Sequence, residues 1–253
     1  MNLVLFQQRS RCGARGVIAL SVICFGVLQN AICAQEIFVY SPLEYQDVEG
    51  PDAADVTDFP NYRFQHIYDI RGFQELEHTG PVYITHMDWR LDGALTEPID
   101  YPSEWLLTLS TTDKTPGNLS LTFADNLGDD EKIVFDHAFV LDSTNEGPAG
   151  GPKVFDYGIE LDEPFLYDPS KGHLLADFTV RNGVGPLLLD YDFGAPQFTQ
   201  QIFAADPDAT EAFSSGAVGH ITRLTVVPVP EPNPHQLVIV GLALLFWLRR
   251  RNH

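Results

Sequence analysis

From residue 35 to residue 227 the apolar positions fall in short alternating or β-branched runs, spaced 10 to 20 residues apart. No long stretch repeats apolar residues at three and four with helix caps, so the pattern predicts strands. They are placed at Glu36 to Tyr40, Tyr62 to Ile70, Val82 to Arg90, Trp105 to Ser110 and Leu119 to Ala124. Others follow at Lys132 to Phe135, Val154 to Leu161, Leu174 to Arg181, Pro186 to Tyr191 and Ile221 to Val227.

Side chains alternate along a strand. Tyr62, Phe64, His66, Tyr68 and Ile70 therefore share one face, opposite Arg63, Gln65, Ile67 and Asp69. Likewise Leu174, Ala176, Phe178 and Val180 oppose Leu175, Asp177, Thr179 and Arg181, which predicts one apolar face and one mainly wet face. The intervening segments, such as GPDAADVTDFP and DSTNEGPAGGPK, are rich in Gly, Pro, Asp, Asn and Ser. Those residues build turns, through positive φ, fixed φ or local side-chain bonds. The expectation is an all-β fold: two packed antiparallel sheets, a β-sandwich or jelly roll.

The termini break this pattern. Residues 1–34 carry Arg9, Arg11 and Arg15, then an apolar run from Val17 to Leu28, then a small and polar exit. This is the layout of a secretory signal peptide, and the apolar run spans only ~18 Å as a helix against ~30 Å of hydrocarbon. All three cysteines, Cys12, Cys24 and Cys33, lie within it, so the body at 35–227 has neither a disulfide nor a thiolate ligand. At the other end, Leu237 to Leu248 is a 12-residue apolar run followed by Arg249, Arg250 and Arg251. It is short for a stable span, and the arginines would hold its end on the cytoplasmic side.

Residues 35–227 hold 34 acidic and 9 basic groups, a balance of −25. Such a surface repels phosphate backbones and excludes nucleic acid as a partner. It remains compatible with divalent cations. In DNLGDDEKIVFD, Asp125, Asn126, Asp129, Asp130, Glu131 and Asp136 offer oxygen donors of the kind calcium takes, with Asp125, Asp129 and Asp130 as the candidate ligands. The bland alternative is an acidic hairpin turn, because Gly128 falls too early for a twelve-residue EF-hand loop. His86 and Asp88 share a strand face, where a carboxylate could orient an imidazole. Trp89, Trp105, Tyr157 and Tyr167 are candidates for stacking on sugars, or else core residues, and Asn118 opens a glycosylation sequon. Paired carboxylates leave a glycan hydrolase open, but the sequence has no GxSxG elbow and no phosphate-binding glycine loop, so no catalytic residue is assigned.

Val229, Pro230, Glu231 and Pro232 (VPEP), the apolar run and the terminal arginines together resemble the PEP-CTERM sorting signal of Gram-negative bacteria. The resemblance covers residues 228–253. It implies recognition of the Pro-Glu-Pro motif by an exosortase, a membrane transpeptidase-like enzyme, after export by the general secretion machinery. The chain would halt transiently in the inner membrane and then reach the cell surface or the exopolysaccharide matrix. Two departures are the shortness of the run and Asn233, Pro234 and His235 directly after the motif. The strings LSTT (109–112), FADNLGDD (123–130), GPAGGPKVFD (147–156) and FLYDPSKGHLLADF (165–178) are similar to uncharacterised exported β-proteins bearing this tag. The expected function is a non-catalytic, surface-sorted β protein without a cofactor. The alternatives are a carbohydrate- or calcium-binding surface module and, third, a glycan hydrolase.

Overall fold

Branched and aromatic side chains alternating with polar ones suit a pleated surface that is buried on one side. The computed structural model describes residues 35–55, 59–78, 80–183, 188–193, 198–216, 218–229 and 249. Residues 1–34, read as a signal peptide, and Pro230 to Leu248, which include most of the sorting motif and the apolar run, lie outside them, as do Arg250 and Arg251.

Among the described residues the strands are β1 (Ile37–Ser41), β2 (Asp52–Asp55), β3 (Tyr62–Ile67), β4 (Val82–Trp89), β5 (Ile99–Thr112), β6 (Lys132–Ser143) and β7 (Tyr157–Tyr167). They continue with β8 (His173–Arg181), β9 (Leu188–Asp192), β10 (Gln200–Ala204), β11 (Ser214–Gly216), β12 (Gly219–His220) and β13 (Thr222–Pro228). One short helix, α1 (Arg71–Gln74), joins β3 to β4. The strands form a four-stranded sheet, β1-β13-β4-β7, a six-stranded sheet, β11-β10-β3-β8-β5-β6, and a small sheet, β12-β9-β2. Every pairing is antiparallel, so the chain is all-β with antiparallel sheets.

The inner faces of the two larger sheets meet in one apolar cluster. Val39, Ile84, Met87, Trp89, Ile159, Leu224 and Val226 come from the four-stranded sheet, and Phe64, Trp105, Leu107, Leu174, Phe178 and Val180 from the six-stranded one. Trp89 meets Trp105 at 5.6 Å and Phe178 at 5.9 Å between ring centroids, both edge-on, while Phe64 lies flat on Phe178 at 4.6 Å. Edge-to-face and offset contacts of this kind add to the burial of the rings themselves.

The outer face of the six-stranded sheet corrects two expectations. Leu119 to Ala124 is not a strand, and its link to Lys132 to Phe135 is not a hairpin. It is a strap that crosses the outer face and ends in a 3-10 turn at Phe123–Asn126. Backbone ladder bonds give way to local side-chain ones: Ser120 N–H donates to Asn126 Oδ1 at 2.8 Å and Thr122 N–H to Ser120 Oγ at 3.1 Å. Polar side chains that capture nearby backbone groups compete with strand pairing in this way. Second, the supposedly wet face is partly covered. Ile67, Leu175 and Ile202 pack beneath Leu119 and Phe123 in a second apolar cluster. Gln65 and Asp177, expected at the surface, are buried there.

Candidate functional site

Beyond the strap the outer face of the six-stranded sheet is open, and strand register places its side chains in rows. Glu104 pairs with Arg181, Leu106 with Thr179, and Thr108 with Asp177 across β5 and β8. Asp136 of β6 extends the middle row beside Leu106, and Arg63 of β3 extends it beside Thr179. Successive outward residues on one strand stand about 6.8 Å apart, so Glu104 and Thr108 bound a floor about 14 Å long. Two adjoining hollows of about 300 and 480 Å³ lie over it, both lined by Arg63, Leu106 and Thr179. Pro207 and Asp208 wall the first, and Leu127, Glu131 and Lys132 the second.

The charges here are already coupled. Arg63 Nε and Nη2 donate to the Asp177 carboxylate at 3.0 and 2.7 Å, and Nη1 donates to the Ala209 carbonyl at 2.9 Å. Its guanidinium rests on the Phe123 ring, 4.5 Å from the centroid. Gln65 Nε2 donates to Asp177 Oδ2 at 2.8 Å and to the Phe123 carbonyl at 2.9 Å, and Asn126 Nδ2 donates to Gln65 Oε1 at 2.8 Å. The buried network thus ties the strap to the groove floor, since buried polar groups demand partners. At the rim Arg181 Nη2 meets Asp208 Oδ1 at 2.5 Å, and this bond holds the Asp208 carboxyl below its ordinary range. Three of the nine basic residues of 35–227, Arg63, Lys132 and Arg181, line this groove.

Elsewhere the strongest groups hold the frame. Arg90, 1% exposed, donates from Nε to Asp190 Oδ2 at 2.6 Å and from Nη1 and Nη2 to the carbonyls of Gln46 and Val48. Gly50 N–H donates to Asp190 Oδ1 at 2.9 Å. Burial pushes the Asp190 carboxyl up to about 6 against the pull of Arg90. An acid raised this far would suit proton donation, but Asp190 is fully buried and both its oxygens are bonded. Its neighbours Glu49 and Asp92 bring single carboxylate oxygens within 4.8 Å of it and of each other, and the Arg90 guanidinium already neutralises part of that charge.

The candidates read from the sequence separate. Trp89, Trp105, Tyr157 and Tyr167 are 3%, 6%, 1% and 0% exposed and pack in the core, so they offer no face to a sugar. His86 and Asp88 do share an outer face, but Asp88 pairs with Arg223 at 3.0 Å and His86 Nδ1 lies 3.0 Å from Thr85 Oγ1. Asp125 accepts from Ser120 Oγ at 3.0 Å and Asp130 from Thr111 N–H at 2.7 Å. Asn118 is exposed. Val229 donates its N–H to the Pro81 carbonyl at 3.1 Å, the last bond of the sheet before Pro230, which has no N–H to give. Arg249 is exposed and helical, and Pro230, Glu231, Pro232, Arg250 and Arg251 lie outside the described residues. Among the described residues no helix is long and apolar enough to cross a membrane.

The Arg63–Asp177 pair and the buried His66 and His220 were not singled out from the sequence. The one available signal was scarcity, since each basic residue among so many acids has its choice of partners. No protein-family model matches the chain, and no curated protein matches it in sequence.

Proposed function

We propose that the chain is an exported, non-catalytic β-sandwich protein, sorted to the cell surface or polysaccharide matrix through its carboxyl-terminal sequence. The order VPEP, apolar run and Arg249 to Arg251 carries this reading, with the signal-peptide pattern of residues 1–34 at the other end. An apolar cluster shared by two sheets supports the sandwich arrangement. The engagement of Asp190 by Arg90 and of Asp177 by Arg63 supports a structural rather than a catalytic use of the buried carboxylates. In this reading Pro230, Glu231 and Pro232 are recognised by an exosortase-type membrane transpeptidase. The apolar run is the membrane handle, and the arginines fix topology.

The test is the intact mass of the protein from cells with and without such a transpeptidase. The expected result is a chain shortened at its carboxyl end only when the enzyme is present, and retained at full length when Pro230, Glu231 and Pro232 are all replaced by alanine. An unchanged carboxyl terminus in the presence of the enzyme overturns the reading. A second reading, a carbohydrate-binding surface module, is favoured by the polar groove over β5 and β8.

A further inference from the structure

A phosphate or carboxylate entering the groove over β5 and β8 faces Glu104 and Asp136, while Arg63 and Arg181 are already engaged by Asp177 and Asp208. An uncharged polyol meets no such repulsion. Its hydroxyls both donate and accept, as the floor requires: Thr179 and Thr108 do both, Glu104 and Asp136 accept, and Arg63 and Arg181 donate. Arg63 spends three of its five N–H donors on Asp177 and Ala209, which leaves two. Because Arg63 is held by that network and by the Phe123 ring, its donors are fixed before a ligand arrives, which lowers the ordering cost of binding. The floor also has an apolar strip, Leu106 beside the methyl groups of Thr108 and Thr179, for the C–H faces of sugar rings.

We propose that this groove binds an uncharged glycan chain, lying along β5 from Glu104 to Thr108. The proposal rests on the binding-module reading and is independent of the sorting signal. The domain charge of −25 points the same way, because it repels polyanionic polysaccharides at a distance.

The test uses the full chain in a polyoxyethylene detergent, which carries no sugar headgroup. Probes are cellohexaose, maltohexaose and N-acetylated chitohexaose, with oligogalacturonate as the anionic comparator and oligolysine as the cationic one. Calorimetry measures affinity, and the backbone amide resonances of Leu106 and Thr179, which line both hollows, report the place of binding. The expected result is saturable binding of at least one uncharged hexasaccharide with a shift of those resonances. Thr179→Val and Arg181→Gln should each weaken binding about three- to tenfold, the worth of one hydrogen bond. Glu160→Gln, on the outer face of the other large sheet, should leave it unchanged. Denaturation midpoints show whether each variant is folded, and Thr108→Val replaces any that is not. Failure of all three hexasaccharides to bind overturns the proposal, as does tighter binding of either charged comparator, or binding that none of the groove variants changes. A chain that binds sugar yet keeps its carboxyl terminus refutes the sorting reading alone.

Discussion

Arg63 of β3 reaches diagonally to Asp177 of β8 and holds its carboxylate with two charge-assisted bonds, of 3.0 and 2.7 Å, across 114 positions of sequence. Asp177 is also the acceptor for Gln65, so two side chains of β3 depend on one carboxylate of β8. Removing it strips the guanidinium of two of its three bonds, leaving the Ala209 carbonyl, and leaves the Gln65 amide N–H with the Phe123 carbonyl alone. Asp177→Ala is expected to cost about 3 kcal/mol of unfolding free energy by urea denaturation. In a double-mutant cycle with Arg63→Ala the two losses should be clearly less than additive. Additive losses would mean that the pair is energetically idle.

His66 and His220 give the protein a calculable acid sensitivity. Their rings lie 6.3 Å apart in the core among Phe64, Tyr68 and Tyr191, and neither His66 nitrogen has a hydrogen-bond partner among the described residues. Burial, and secondarily His220, holds His66 well below its ordinary value, while burial lowers His220 to about 4. The unfolded chain takes up both protons near pH 6.5 and the native state refuses them. Stability is therefore full above that pH and falls below it, by up to about 2.7 kcal/mol per pH unit for two protons. Asp190 works in the opposite sense. Its folded value of about 6 lies above the unfolded one, so the native state gains up to about 1.4 kcal/mol per unit as pH falls from 6 towards 4. The net expectation is a decline in urea midpoint from pH 6.5 to 4.5, made shallower by His220→Phe. A midpoint that is flat over this range contradicts it.

Arg90 clamps the segment from Gln46 to Gly50 onto β9 through Asp190. Arg90→Met keeps most of the volume and strands the carboxylate, at an expected cost of about 3–5 kcal/mol at pH 7. The deficit should narrow as pH is lowered, because an unpaired, buried Asp190 can then become neutral. Hydrogen exchange should quicken first at Gly50. A loss of the same size at every pH would exclude the clamp as its origin.

Phe178 sits where the large sheets meet, flat on Phe64 and edge-on to Trp89 and Trp105. Phe178→Ala is expected to cost about 3–5 kcal/mol, because the surrounding rings cannot close the cavity. The near-ultraviolet circular dichroism of the tryptophans should weaken in the folded variant. An undiminished signal would show that the aromatic cluster keeps its packing without Phe178.

Calcium provides a fifth check. Ser120 and the Thr111 N–H already engage Asp125 and Asp130, and Arg90 engages Asp190. Millimolar calcium is expected to leave the melting temperature unchanged, since a ligand that favours the folded form must raise it. A clear rise would restore Asp125, Asp129 and Asp130, or the Glu49 cluster, as ligands.

Several strands are longer than their patterns suggest, for identifiable reasons. β5 begins at Ile99 although Pro102 reads as a breaker. That stretch pairs only with β6, and β8 joins from Glu104 onward, so Pro102 sits where one edge is open. β7 runs through Pro164 because its pairing with β4 breaks register between Glu160 and Phe165, which spares the missing donor. Leu119 and Phe123 suggested a strand by their alternation, yet they serve as apolar feet of a strap.

Alternation by itself determined that the body is all-β, which residues of β3 and β8 point into the core, and that the termini belong to a different kind of sequence. Tertiary structure alone decided that Gln65 and Asp177 lie under a strap, that Trp105 is core, and that a groove opens over Leu106 and Thr179. The period of two is a local property, fixed by backbone geometry between neighbouring residues. What covers an outer face depends on segments brought from 58 to 146 positions away, such as Phe123 over Gln65 and Ala209 over Arg63. No local pattern encodes that encounter.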